Sequence, residues 1–362
     1  MNLPKNNTPF YLALICIFAI VTRVWFFWHD GLHTDEEFTW RLVQHDAWYI
    51  ITYSLTNDCN PPLFYLIDHL SIVALGPTIF AERLPAVIFG ILLIPATFWL
   101  GREIDGDTLG LFAAACMTTL GNIWYYSQFG RAYTMAAFMF VVFCVYYVRL
   151  MRGDNTRTNW LAVTLIAVLL AFTHLYAIIP ITFMFGYLIW LYGRESLKWM
   201  ALTFVLSSPL LLLFNAILVW RVEGRALSTL NWYGAPFNQL AIFAPLEFFG
   251  FAFVILIPLL VYSTYLNRKE RVVQVLMASS VLSYAVLLSV CDITPVFLRY
   301  LIPLVPVWVA VAFLPVSRFV DSPDYNRAQK WFVVGSFAAF YIGISVYAFW
   351  SGVYLPKGGF YP

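Results

Sequence analysis

The segment Pro61-Pro62-Leu63-Phe64-Tyr65-Leu66-Ile67-Asp68-His69-Leu70-Ser71-Ile72-Val73-Ala74-Leu75-Gly76 decides how this chain threads. It is apolar enough to be counted as a membrane span, yet it is short, opens on paired prolines and carries Asp68 and His69. Apolar runs of about 17–25 residues, long enough to cross a hydrocarbon core roughly 30 Å thick, recur from end to end. Counting the Pro61 segment among them gives twelve crossings and puts Arg149, Arg152 and Arg157 outside, against the bias of basic loops toward the cytoplasm. Leaving it on the outer surface gives eleven, at about 9–28, 83–100, 108–126, 132–149, 159–174, 176–192, 198–219, 240–263, 272–291, 296–316 and 330–350. The N-terminus is then cytoplasmic and the C-terminus outside. The inner segments hold thirteen of the 21 Lys and Arg residues, among them Arg102, Arg149, Arg152, Arg268 and Arg318. All five histidines, His29, His33, His45, His69 and His174, fall on the outer half with Asp30, Asp35, Glu36, Glu37, Asp46 and Asp58.

Composition supports this threading. Of 362 residues, 62% are hydrophobic and 11% charged, against about a quarter charged in soluble domains. A net charge of +2 without a basic stripe gives nucleic acid no electrostatic footprint. The first apolar run, Pro9 to Trp28, follows Lys5 as a signal peptide would. No small-residue cleavage site follows it and Arg23, Trp25, Phe26, Phe27 and Trp28 crowd its end, so an uncleaved span is expected. Cys16, Cys116 and Cys144 lie inside apolar runs as small hydrophobes. Cys59 and Cys291 lie outside them, where nothing in the sequence sets their distance, and no cysteines have metal-ligand spacing. The expectation is an all-α, polytopic protein forming one integral membrane domain over residues 1–362. It has no internal repeat and no separate soluble domain. Its longest ordered loop, residues 29–82, is on the outer face, where long loops carry function. A second outer loop, Trp220 to Gln239, holds Arg221, Glu223, Arg225, Trp232 and Tyr233.

Within the long loop, Thr34 followed by Glu37 is a capping-box spacing and predicts a helix start with Asp35 in its first turn. Trp40, Val43, Ala47 and Ile50 continue at helical spacing, as in a helix lying at the membrane interface. The helix dipole favours an ionised Asp35, which suits a proton-accepting base; complementing that dipole is the plainer role for Asp35, Glu36 and Glu37. Asn60-Pro61-Pro62 begins a second interfacial helix. Arg131, in the hairpin Tyr126-Ser127-Gln128-Phe129-Gly130-Arg131-Ala132-Tyr133, sits at the edge of lipid, where an arginine seeks an anion or snorkels to headgroups. His174 beside Tyr176, and Arg299-Tyr300 after Pro295, lie at outer span ends. A carboxylate, two arginines and a histidine on one interface match the head of a phosphate-bearing lipid.

These residues together resemble the GT-C superfamily of polyprenyl-phosphate-sugar-dependent glycosyltransferases, in the branch containing protein O-mannosyltransferases and lipid A aminoarabinose transferases. The resemblance rests on Asp35-Glu36, Pro61-Pro62, the block ending at Arg131 and Tyr133, and Arg299-Tyr300, and covers roughly Trp25 to Thr182 plus Asp292 to Val307. The chain departs from the pattern at Asn60, where a histidine or lysine often precedes the prolines, and at Phe129, where many members have an acid. The resemblance implies Asp35 as catalytic base of an inverting displacement. It places Glu36 on donor or acceptor hydroxyls, and Arg131, Tyr133, Arg299, Tyr300 and, more weakly, His174 in the substrate site. It implies a polyprenyl-phosphate (dolichyl- or undecaprenyl-phosphate) sugar as donor, dolichyl-phosphate mannose being one such, and a glycan, lipid or protein acceptor. No metal is expected, given Phe129. The expected setting is the cell (inner) membrane, with the active site facing the periplasm. A transporter or flippase of a lipid-linked sugar is the alternative; a transporter tends to show inverted repeats and midplane charges, and neither is evident. A membrane acyltransferase would set a histidine deep in a polar stretch, which His174 lacks.

Overall fold

The structure, a computed structural model, describes residues 7–25, 27, 31–58, 60–208, 248–249, 252–290 and 298–350. Among these the regular elements are helices, with short 3₁₀ turns at Leu175–Ala177 and Leu298–Leu304. Cys59, Cys291, His29, Asp30, Pro295 and the loop from Trp220 to Gln239 lie outside the described residues, as does much of the seventh and eighth expected spans.

The spine is α5, Ile79–Asp105, whose 27 residues rise about 40 Å at 1.5 Å per residue. Around it pack α1 (Thr8–Val24), α4 (Leu63–Leu75), α6 (Asp107–Thr119) and α8 (Tyr133–Met151). The α5–α6 crossing is so close that a Cβ on Gly101 would fall 2.7 Å from the Gly110 Cα. Only glycine permits that approach. Behind α8 lies α9 (Arg157–Ala171), followed by α10 (Ile178–Tyr192).

Among the described residues five helical stretches are long and apolar enough to cross a membrane: Ile79–Asp105, Tyr133–Met151, Leu175–Tyr192, Arg271–Ser289 and Leu298–Asp321. Thr8–Val24, Leu63–Leu75, Arg157–Ala171 and Phe253–Leu266 are shorter apolar helices. The chain is a membrane protein, and Phe10, Leu14, Ile17, Phe18 and Val21 expose an apolar stripe along α1. The Pro61 segment forms α4, whose 13 residues rise about 20 Å, less than a hydrocarbon core.

Three expectations change. The single interfacial helix is two, α2 (Thr34–Val43) and α3 (Ala47–Asn57), because Asp46 accepts the Tyr49 N–H at 3.0 Å and starts a new helix. The 108–126 run is α6 followed by α7 (Gly121–Ser127), broken at the extended Leu120. The tenth run is a 3₁₀ turn followed by helices Val305–Ala312 and Leu314–Asp321, since Pro303, Pro306 and Pro315 lack the N–H that one continuous helix needs.

Charge sits at the two ends of α5. At one end Arg149 pairs with Glu103, Arg318 with Asp105 at 3.1 Å, and Arg102 with Asp107 at 3.1 Å. Glu82 and Arg83 are at the other end, under the loop of residues 31–62.

Candidate active site

Helix α2 presents two adjacent carboxylates to different surroundings. Its N-cap is His33, one residue before the expected Thr34: the His33 N–H donates to Glu36 Oε2 at 2.9 Å, and the Asp35 N–H lies 3.5 Å from His33 Nδ1. Glu37, the expected partner in the capping box, instead faces outward 3.8 Å from Arg41. Successive helical residues point about 100° apart, so one register shift sends Glu36 inward and leaves Asp35 at the mouth.

Glu36 is 1% exposed. Arg83 grips it bidentately, Nε to Oε1 and Nη2 to Oε2, each at 2.8 Å, and the Gly130 N–H donates to Oε1 at 2.8 Å. With the His33 N–H, four donors occupy its oxygens, so Glu36 has no lone pair left for the substrate hydroxyls expected of it. It ties α2 to the Gly130-Arg131 turn instead. Glu82 packs against Gly130 from the other side, its Oε1 2.1 Å from where a Cβ would be. The Arg83 guanidinium also donates to Phe27 O at 2.8 Å and Gly31 O at 3.0 Å, closing the loop over α5.

Asp35 is 31% exposed and takes Arg299 Nη2 on its Oδ2 at 2.9 Å; its Oδ1 has no partner among the described residues. Arg131 is fixed through one nitrogen, Nη1, by Thr39 Oγ1 at 3.1 Å, Asp35 O at 3.3 Å and Tyr65 OH at 3.3 Å. Its Nε and Nη2 make no hydrogen bond among the described residues. That is the edge of a guanidinium that grips a phosphate in two places. Burial opposes the Arg131 charge, but Tyr65, Tyr133, Asp58 and Asp35 outweigh it and hold its pKa above the ordinary arginine value.

Aromatic rings wall the site. Tyr133 lies under Arg299 at 6.0 Å from its centroid, and Tyr300 stacks on Tyr176 at 4.6 Å. His174 is set 5.9 Å from Tyr133 and 5.5 Å from Tyr300, with Nδ1 unpartnered among the described residues. Burial, then the nearby Arg131 and Arg299, push its pKa down to about 4. His174 is therefore neutral at pH 7, with one ring donor and one ring acceptor instead of a positive charge. The structure thus brings together Asp35, Arg131, Tyr133, His174, Arg299 and Tyr300, and moves Glu36 behind them. Phe129, where an acid was the alternative, is buried against Tyr125, Tyr126, Tyr133 and His33. Among the described residues no three His, Cys, Asp or Glu side chains are grouped so as to hold a metal ion.

No family model and no curated protein matches the chain. Solved structures do. ArnT from Cupriavidus metallidurans, in the structure bound to undecaprenyl phosphate, matches with a TM-score of 0.64 at 13% identity over 93% of this chain and 64% of that one. The oligosaccharyltransferase AglB from Archaeoglobus fulgidus, in complex with an inhibitory peptide and a dolichol-phosphate, matches with a TM-score of 0.64 at 13% identity over 95% of this chain. The chain shares the fold of these solved structures. The chain spans 64% of the ArnT length and 55% of the AglB length.

Several residues that shape this site were missed by sequence reasoning. Arg83 and Glu82 look like ordinary span-end charges, and Tyr65 like interfacial packing. Asp68 and Glu82 are both fully buried with neither oxygen of either carboxyl partnered among the described residues. Burial, then the Glu36 charge, pushes Asp68 up to about 9, so it is a neutral acid at pH 7. An acid inside an otherwise apolar segment was the available signal.

Proposed function

We propose that this chain is a membrane glycosyltransferase that moves a hexosyl or pentosyl group from a polyprenyl-phosphate donor to an acceptor hydroxyl on the outer face. The observation that carries the reading is Asp35, with one oxygen on Arg299 and the other unpartnered among the described residues, beside the Arg131 edge that makes no hydrogen bond among them. The solved structures that share the fold bind undecaprenyl phosphate in one case and a dolichol-phosphate in the other. In this reading Asp35 accepts the acceptor's proton as its oxygen bonds to C1 of the sugar. The C1–O bond to phosphate breaks in the same displacement, its electron pair leaving with the phosphate and inverting C1. Phosphate is a good leaving group, so Arg131 and Arg299 need only hold its charge, and no second carboxyl acid is required. The protein's own arginines do this without a metal ion. Neutral His174 offers a hydrogen bond to the donor, and Tyr133 and Tyr300 flank the sugar. In this reading the chain crosses the inner membrane eleven times from a cytoplasmic N-terminus, and the mouth faces the periplasm.

The test gives the purified protein radiolabelled undecaprenyl- or dolichyl-phosphate mannose, glucose or arabinose with glycan, lipid and peptide acceptors, beside Asp35→Asn. Wild type is expected to transfer label. Asp35→Asn is expected to lose about a hundredfold to ten-thousandfold in rate while still binding donor, the span for a general base. Equal transfer by the variant overturns the base assignment, and transport of label into liposomes without transfer replaces the enzyme by a flippase.

A further inference from the structure

Arg131 is held by a chain of groups that reaches back to a carboxylate outside the first contact layer. Asp58, at the C-cap of α3, accepts the Tyr65 O–H on Oδ2 at 2.7 Å, and its oxygens also lie 3.2 and 3.3 Å from Asn60 Nδ2. The Tyr65 hydroxyl, its proton given to Asp58, presents its lone pairs to Arg131 Nη1 at 3.3 Å. A hydroxyl has one proton and two lone pairs, so the short bond to Asp58 fixes which way the lone pairs face. The Tyr65 ring lies 5.9 Å from the Arg131 guanidinium carbon and is 2% exposed, so ring and hydroxyl both bear on the same cation. Burial raises the Tyr65 pKa well above its ordinary value, and the hydroxyl stays protonated.

We propose that Asp58 and Tyr65 are positioning residues for the transfer reaction: through the Tyr65 hydroxyl, Asp58 fixes Arg131 by Nη1 and leaves its Nε–Nη2 edge to grip the phosphate of the lipid-linked donor. The inference rests on the phosphate-donor reading above. It follows from the division of the guanidinium, whose three protein partners all use one nitrogen while the bidentate edge has none among the described residues. A guanidinium without the Tyr65 contact keeps its charge and its bonds to Thr39 and Asp35 O but is held less closely, so the loss falls on phosphate affinity and not on the ability of Asp35 to accept a proton. Asn60 belongs to the same device, because its amide holds Asp58 instead of reaching outward.

The experiment measures binding of undecaprenyl phosphate to the full chain in lipid nanodiscs for wild type, Tyr65→Phe, Asp58→Asn and the double variant. Tyr65→Phe keeps the ring and removes only the hydroxyl. Each single variant is expected to weaken binding about tenfold, the scale of one lost hydrogen bond to a charged group, and the double variant no more than either single one. In transfer assays the same variants are expected to raise the donor KM while changing kcat less than the KM, whereas a merely structural role lowers the active fraction and leaves affinity alone. Thr39→Val, which removes another Nη1 partner, is expected to weaken binding in the same direction and provides a second variant if Tyr65→Phe does not fold. Wild-type binding with unchanged affinity in Tyr65→Phe and Asp58→Asn overturns the positioning role alone. Failure of wild type to bind undecaprenyl phosphate overturns the donor reading and this proposal with it.

Discussion

Glu36→Gln separates an anchor from a substrate contact. Glu36 and Arg83 form a buried bidentate pair, with side-chain exposures of 1% and 8%. The amide keeps the shape but removes the charge and turns an N–H₂ group toward donors already present on Arg83, Gly130 or His33. Breaking a buried pair by removing one partner costs about 3–5 kcal/mol, because the remaining charge is stranded. Arg83 keeps its bonds to Phe27 O and Gly31 O, which places the cost toward the lower end of that range. The expected result is a fall in melting temperature on the order of 5–10 °C in detergent, followed by thermal scanning at several heating rates. Adding Arg83→Met is expected to recover part of the loss, with a coupling of about 1–3 kcal/mol between the two sites. An unchanged melting temperature combined with a raised donor KM would refute the anchor and return Glu36 to the substrate.

Asp68→Asn is expected to stabilise the protein at pH 8 and leave it nearly unchanged near pH 4. The folded pKa near 9 lies above the ordinary 3.8, so between these values the folded state keeps a proton that the unfolded chain releases, and stability falls as pH rises across the window. A wild-type pH slope in the variant, read from melting temperatures, counts against a buried neutral acid. Gly130→Ala places a methyl 2.1 Å from Glu82 Oε1 and is expected to cost about 1–3 kcal/mol in stability and to lower transfer by shifting Arg131. Glu82→Ala in the same chain is expected to restore both, and no recovery would show that the clash lies elsewhere.

The class of fold was legible because bilayer thickness imposes a length on every apolar run, and the end of the helices that gathers the candidate site was legible because histidines and acids cluster at one end of the runs. Asp35, Arg131, His174 and Arg299 were found from that placement and from the resemblance. What was not legible depended on helix register. The pairs Thr34/Glu37 and His33/Glu36 have the same spacing and are offset by one residue, yet the choice decides which of two neighbouring acids faces the core. Likewise Arg83 follows Glu82 at a span start, where sequence alone gives no sign that it reaches a loop residue 47 positions earlier. Tyr65 was hidden for the opposite reason: in a run of aromatic and aliphatic residues, its hydroxyl matters only once Asp58 and Arg131 are seen on either side of it.

The adjacency of Asp35 and Glu36 is itself a structural device. A base must stay open to the acceptor and must also be held within a fraction of an ångström of a substrate that it does not grip. Asp35 meets the first demand at the mouth, with one oxygen unpartnered among the described residues. Glu36 meets the second, because the residue next in the chain is locked by Arg83, Gly130 and the His33 cap. The same lock holds Gly130, and Gly130 adjoins Arg131. One buried carboxylate therefore sets the separation between the proposed base and the proposed phosphate clamp, which lie 96 residues apart in sequence. Glu36→Asp, which shortens the side chain by one methylene and keeps the charge, is expected to disturb kcat in transfer assays more than it disturbs donor affinity. The arginines can still find the phosphate while the base no longer meets the acceptor oxygen at the right distance.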